Sequence, residues 1–196
     1  MKQVEFYFDF GSPASYLAWT QLPKIAAAAG ARIVWKPMLL GGVFKATGNA
    51  SPVTVAAKGK WMMGDLARFA ARYGVPLKMP PSFPVNTMAM MRGAVGMQMR
   101  QPADFDRYVK AMYEAMFGRG LNMGDPDVVA GVLAAAGFDA AAFAALTADA
   151  AVKQGLVANT EEAVARGVFG APTMFVGEDM HFGQDRLDFV AQALAR

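Results

Sequence analysis

The chain contains no cysteine. Disulfides, thiol nucleophiles, CxxC redox chemistry and thiolate metal sites are therefore all excluded. It has one histidine, His181, so a histidine-based metal site cannot be assembled within one chain, and no carboxylate spacing suggests a metal site of another kind. Charge is sparse, at 18% of residues with a formal net charge of +3. The lysines and arginines are scattered without a run, whereas nucleic acid binding needs a clustered basic footprint. Long apolar runs are missing too. Glu5 and Asp9 interrupt the N-terminus as a secretion signal. Gly137, Asp139 and Asp149 break the alanine-rich region that begins at Val128 before it can span a bilayer. These absences lead us to expect a cytoplasmic protein with neither nucleic acid nor membrane as a partner. What is present is core material: 55% of the 196 residues are hydrophobic. That suits one domain with a sizeable core, or one domain carrying an insertion.

The order of elements can be read from periodicity. Val4, Phe6, Phe8 and Phe10 alternate with Glu5, Tyr7 and Asp9, the period of a strand. Ser12 and Pro13 then supply a helix cap and a first-turn proline, and the helix runs to Gly30. Arg32–Pro37 reads as a second strand, parallel to the first because a helical crossover joins them. Met38–Ala57 reads as loop, punctuated by Gly41-Gly42, Gly48-Asn49 and Ser51-Pro52. Helical patterns follow over 58–73, 87–98, 104–117, 126–136, 139–146 and 147–166. Thr173–Val176 and Asp179–Phe182 form a hairpin around Gly177-Glu178, and Gln184–Leu194 is a last helix. The fold class is α/β: β-α-β, a large all-helical block, then β-β-α. The expected division is residues 1–57 with 168–196 as one domain, and 58–167 as a helical insertion.

Three segments carry candidate chemistry, and each has a plain structural reading beside the functional one. Ser12 caps a helix; the same helix start offers free N–H groups and partial positive charge to an anion. The dipole is worth about 0.3–1 kcal/mol and a charge-assisted hydrogen bond roughly 1.5–3 kcal/mol. Together they could lower the pKa of a bound thiol by one to a few units, at about 1.4 kcal/mol per unit. Gly170-Ala171-Pro172-Thr173 opens a strand, where proline is tolerated; a cis bond there would turn the Ala171 backbone toward a peptide-like ligand. Phe182-Gly183-Gln184-Asp185-Arg186 starts a helix with an acidic first turn; its amide and carboxylate could also hold an amino-acid head group. Two other patterns are set aside. Gly118-Arg119-Gly120 with Gly124 follows a helix, not a strand, and has the wrong spacing for a dinucleotide loop. Ser12, His181 and Asp185 lack the G-x-S-x-G elbow of a hydrolase triad.

Taken together, these segments resemble the thioredoxin superfamily, in its DsbA-like branch with a helical insertion. The likeness is nearest to 2-hydroxychromene-2-carboxylate isomerases, relatives of kappa-class glutathione transferases. It rests on Phe8-Asp9-Phe10-Gly11-Ser12-Pro13-Ala14-Ser15-Tyr16, on Pro37 to Phe44 with Gly48-Asn49, and on Lys58-Gly59-Lys60-Trp61-Met62. Gly167 to Thr173 and Phe182 to Leu187 complete it, in order along nearly the whole chain. The resemblance implies a thioredoxin-like fold and glutathione as cofactor. Ser12 would stabilise the glutathione thiolate. Asn49 and Lys58 would hold the glycyl end, Ala171 before a cis Pro172 the cysteinyl unit, and Gln184 and Asp185 the γ-glutamyl head. Gln184 stands where the kappa pattern often has serine. A homodimer and a small aromatic, anionic substrate are implied as well. Trp61 or Tyr113 is a candidate wall for that substrate. Two alternatives stay open: a kappa-like transferase or peroxidase with another electrophile, and a non-catalytic thioredoxin-fold binding protein.

Overall fold

The computed structural model describes all residues, Met1–Arg196. Four strands form one sheet: β1 (Gln3–Phe8), β2 (Arg32–Pro37), β3 (Thr173–Val176) and β4 (Asp179–Phe182), in the order β2-β1-β3-β4. β1 pairs parallel with β2 and antiparallel with β3, and β4 closes the hairpin. The aromatic alternation of β1 explains its central place. Val4, Phe6 and Phe8 enter a large core, while Tyr7, on the opposite face, joins Phe175 in a smaller one. All four β1 side chains are fully buried, as a strand covered on both faces requires.

α1 (Pro13–Ala28) is the crossover and ends before Gly30, which has a positive φ of 61°. Seven more helices precede β3: α2 (Leu40–Thr47), α3 (Ala56–Tyr73), α4 (Met88–Arg100), α5 (Phe105–Tyr113), α6 (Pro126–Ala135), α7 (Ala140–Ala148) and α8 (Ala150–Ala165). After β4 comes α9 (Leu187–Ala195), entered through a 3-10 turn at Gln184–Arg186. The large core contains 35 buried residues and runs without a gap from β1 and α1 into α4, α5 and α8. Sheet and helical block thus share one interior. No single helix is long and apolar enough to cross a membrane; α6 and α7 reach that composition only as a pair bent by 117°.

Three sequence expectations change. The segment 38–57, read as loop, contains α2 and a 3-10 turn at Pro52–Thr54. The glycines that looked like punctuation have another use, since a Cβ on Gly42 would lie 3.1 Å from the Thr160 side chain. Glycine there lets α2 lie close against α8. The helix expected over 104–117 ends as an α-helix at Tyr113 and continues as a π-helical turn, Glu114–Gly118. The last break in the helical block falls at Asp149 rather than at Leu146/Thr147, because the Asp149 carboxylate accepts the Ala151 N–H at 2.7 Å and caps α8.

Candidate active site

The junction of β1 and α1 is built around two side chains. Ser12 has an extended backbone (φ −100°, ψ 111°) and its Oγ accepts the Ser15 N–H at 3.1 Å, the geometry of a helix cap. The hydroxyl donates its proton to the Ala171 carbonyl at 2.9 Å. Pro13 has no N–H, and the Tyr16 N–H goes to the Ser12 carbonyl. In the first turn, only the Ala14 N–H lacks a protein acceptor.

The second side chain is Asp9, which the sequence reading treated as the polar half of a strand alternation. It is 1% exposed. Its Oδ1 accepts the Gly11 N–H at 2.8 Å and the Thr87 hydroxyl at 2.6 Å, and its Oδ2 accepts the Leu40 N–H at 2.7 Å. Burial raises its pKa, opposed by the bonds from Thr87, Gly11 and Leu40. With N–H donors on both oxygens, the carboxylate form fits the donor set. Asp9 therefore caps α2 from 31 residues away and ties together the Ser12 turn, α2 and α4. Its place in the Phe8 to Tyr16 motif marks it in the sequence, but no local pattern announces a cap for α2.

The Ala171-Pro172 peptide is cis. The Pro172 carbonyl accepts the Gly183 N–H at 3.0 Å, which joins this loop to the segment carrying Gln184 and Asp185. The Ala171 N–H has no protein acceptor. Phe182 packs so closely on Gly170 that a Cβ there would lie 2.7 Å from its ring. Asn49, just past α2, donates to the Phe169 carbonyl at 2.8 Å and so spans to the same loop. Lys58, in the first turn of α3, takes part in none of the molecule's ion pairs. Asp185 accepts from Arg186 at 2.6 Å, and the backbone carbonyl of the buried Gln184 accepts the Tyr73 hydroxyl at 3.0 Å.

Ser12, Asn49, Lys58, Ala171, Pro172, Gln184 and Asp185 all line one cavity of about 690 Å³, a volume suited to a small organic ligand. Its apolar side is formed by Leu40, Phe44, Trp61, Met62, Leu66 and Phe83. No local pattern places Phe44 on α2, or Phe83 in the proline-rich segment 76–84, opposite Ser12. Lys58 is the sole basic residue of the lining, against Asp65 and Asp185. Of the two suggested walls, Trp61 lines the cavity, but Tyr113 is fully buried in the core against Phe10. His181 lies on β4, outside this lining, with its pKa lowered by burial. Beneath Ser12, the buried Ser15 hydroxyl and Tyr113 phenol lack a well-formed hydrogen bond, although Ser15 lies near enough to oppose the rise that burial gives the phenol's pKa.

This sheet, with a capped helix start facing a cis-proline loop, defines a thioredoxin-fold protein of the DsbA class. The family model described as DSBA-like thioredoxin domain matches residues 3–195. The chain belongs to that family, in the branch that includes the 2-hydroxychromene-2-carboxylate isomerases. It is 36% identical to 2-hydroxychromene-2-carboxylate isomerase of Sphingobium xenophagum, over 98% of both chains. It is 30% identical to Glutathione s-transferase kappa 2 of Caenorhabditis elegans, over 99% of this chain and 92% of the relative. A solved 2-hydroxychromene-2-carboxylate isomerase superposes with a TM-score of 0.88 at 34% identity, covering 99% of this chain and 95% of the other.

Proposed function

We propose that the protein is a glutathione-dependent cis–trans isomerase. It would interconvert 2-hydroxychromene-2-carboxylate and trans-o-hydroxybenzylidenepyruvate in the breakdown of aromatic hydrocarbons. The reaction follows the name shared by its relatives. The observation that carries the cofactor is the pair of unpaired N–H groups, on Ala14 and Ala171, beside the Ser12 hydroxyl at one end of the cavity. One open donor at a helix start suits an anion, and a second on the facing cis-proline loop suits the peptide unit beside it.

In this reading, Asn49 and Lys58 bind the glycyl carboxylate of glutathione and Ala171 pairs with its cysteinyl backbone. Gln184 and Asp185 hold the γ-glutamyl head, Asp185 through the ammonium group. Bound there, glutathione supplies a thiolate that adds reversibly to a conjugated carbon–carbon double bond, which can rotate while single. Ser12 and the Ala14 N–H stabilise negative charge on the sulfur, from positions fixed before the reaction starts. Trp61, Met62 and Phe44 take the aromatic ring and exclude water. The site has no cysteine to cycle: the CxxC positions of a redox relative hold Ser12-Pro13-Ala14-Ser15.

The test is isomerisation of 2-hydroxychromene-2-carboxylate with and without glutathione. We expect turnover only with it, and an equal rate without it would end the cofactor assignment. The kappa transferase relative supports a second reading, in which the thiolate attacks another electrophile. Activity toward a chlorodinitrobenzene-type compound or a hydroperoxide, with none toward the chromene, would favour it. A binding protein without catalysis would gain if glutathione gave no thermal shift, since ligand at about 100 times Kd stabilises by roughly 2.7 kcal/mol. The reading also includes a homodimer, tested by sedimentation at micromolar concentration, and action in the cytoplasm.

A further inference from the structure

The hydroxyl that this function needs is already engaged. A serine hydroxyl has one proton to donate. The proton of Ser12 points to the Ala171 carbonyl at 2.9 Å, and the same oxygen accepts the Ser15 N–H at 3.1 Å. Ser12 is 5% exposed, so water offers little in exchange. In this arrangement Ser12 has nothing to give a sulfur atom. Next to that carbonyl, the Ala171 N–H is unpaired. Ala171 thus presents an open donor and an acceptor covered by Ser12.

An extended peptide lying antiparallel to Ala171 would use both groups. Its carbonyl would accept the Ala171 N–H, and its N–H would donate to the Ala171 carbonyl, as in a bonded pair of strands. The carbonyl has two lone pairs, so the ligand N–H keeps it satisfied whether or not Ser12 stays. Ser12 can turn its proton to the thiolate without leaving a part-buried acceptor bare, which would itself carry a penalty. The new bond is charge-assisted and roughly twice as strong as the neutral one it replaces. A thiol with no such N–H offers no replacement: turning Ser12 toward its sulfur would strip the Ala171 carbonyl. The cap from Ser15 is untouched either way, because it uses the lone pair of Oγ and not its proton.

We propose that the Ala171 carbonyl makes activation of a bound thiol conditional on an amide N–H carried one carbon away from the thiol-bearing carbon. The cofactor class is then the N-acylated aminothiol, as in a peptidyl cysteine, and simple thiols are held without being ionised. The inference rests on the glutathione reading of the cavity.

The experiment titrates the bound thiol through thiolate absorbance in the ultraviolet, with each ligand held at saturation as fixed by calorimetry. The ligands are glutathione and an analogue in which an ester oxygen replaces the cysteinyl N–H, which adds no bulk. The proteins are the wild type and Ser12→Ala. In the wild type, we expect the glutathione thiol to titrate about one unit lower than that of the ester, a tenfold difference in ionisation. In Ser12→Ala the two ligands should titrate together. If they titrate together in the wild type, while Ser12→Ala raises both equally, Ser12 donates regardless of the ligand N–H and the proposal is overturned. Absence of any calorimetric signal with glutathione is a different failure. It overturns the cofactor reading itself, and the proposal with it.

Discussion

Two polar clusters flank β1, and they are finished to different degrees. On one face, the Tyr7 hydroxyl donates to Glu162 at 2.9 Å and accepts from Arg166 at 2.9 Å. Arg166 also binds Glu5, and Lys36 binds both oxygens of Glu162. Burial, above all, pushes the Tyr7 phenol up to about 12, so it stays protonated as a donor. Every member of this cluster has a partner. At the end of the strand, the Ser12 corner leaves two backbone donors open, and the Ser15 and Tyr113 hydroxyls beneath it lack a well-formed hydrogen bond. A closed network holds β1, β2 and α8 together, while an open one has capacity left for a ligand. Both open donors, on Ala14 and Ala171, line the cavity, so an occupant there finds backbone groups free to bind it.

The largest effect that would test this contrast is on the open cluster. Ser12→Ala should lower isomerase turnover by roughly tenfold to a hundredfold, the range set by a charge-assisted hydrogen bond. Glutathione affinity by calorimetry should change little, and the bound thiol pKa should rise. A bound thiol pKa unchanged from the wild type would remove Ser12 from the chemistry. The closed cluster should respond in stability instead. Arg166→Ala leaves Glu5 and the Tyr7 hydroxyl without their cation, a partly buried loss that we place at about 1–3 kcal/mol. Urea unfolding measures it, and turnover per folded molecule should stay unchanged. Asp185→Asn comes next. Loss of one charge at the γ-glutamyl head should raise the KM for glutathione by about tenfold, or 1.4 kcal/mol, with kcat preserved. The smallest effect is expected at Tyr113→Phe. Its phenol has only a poorly formed contact with Ser15 to lose, so stability should shift by less than about 0.5 kcal/mol. A loss well above that would mean that an ordered water satisfies Ser15 and Tyr113.

The two clusters were not equally legible in the sequence. Ser12-Pro13 and Ala171-Pro172 stand out because cap and proline chemistry are local: a residue type at one position constrains its neighbours directly. The hairpin at Gly177 is visible for the same reason. The capping role of Asp9 was hidden because its partners are Gly11, Leu40 and Thr87, and nothing near Leu40 in the chain announces a cap. α2 was lost with it: its N-cap residue, Leu39, has no capping side chain of its own, and Gly42, which looks like a breaker, serves contact with α8. The Tyr7 network was invisible too, since Glu162 and Arg166 lie 155 and 159 residues away. The seven candidate residues came together on one wall because family resemblance supplied the distant pairings that periodicity cannot.

The bond between Ser12 and Ala171 spans 159 residues of chain, and that distance is also an interval of time. At about 5–20 residues per second, a ribosome delivers Ala171 roughly 8–32 s after Ser12. Through that interval β1 can find β2, but the edge that will meet β3 at Glu5, Phe6 and Tyr7 has no strand to pair with. An unpaired strand edge is an aggregation hazard, and the helical block, made in that interval, is the part of the chain at hand to cover it. The binding corner is completed only after Ala171 has been made, and a ligand seated there can protect no earlier stage of the chain.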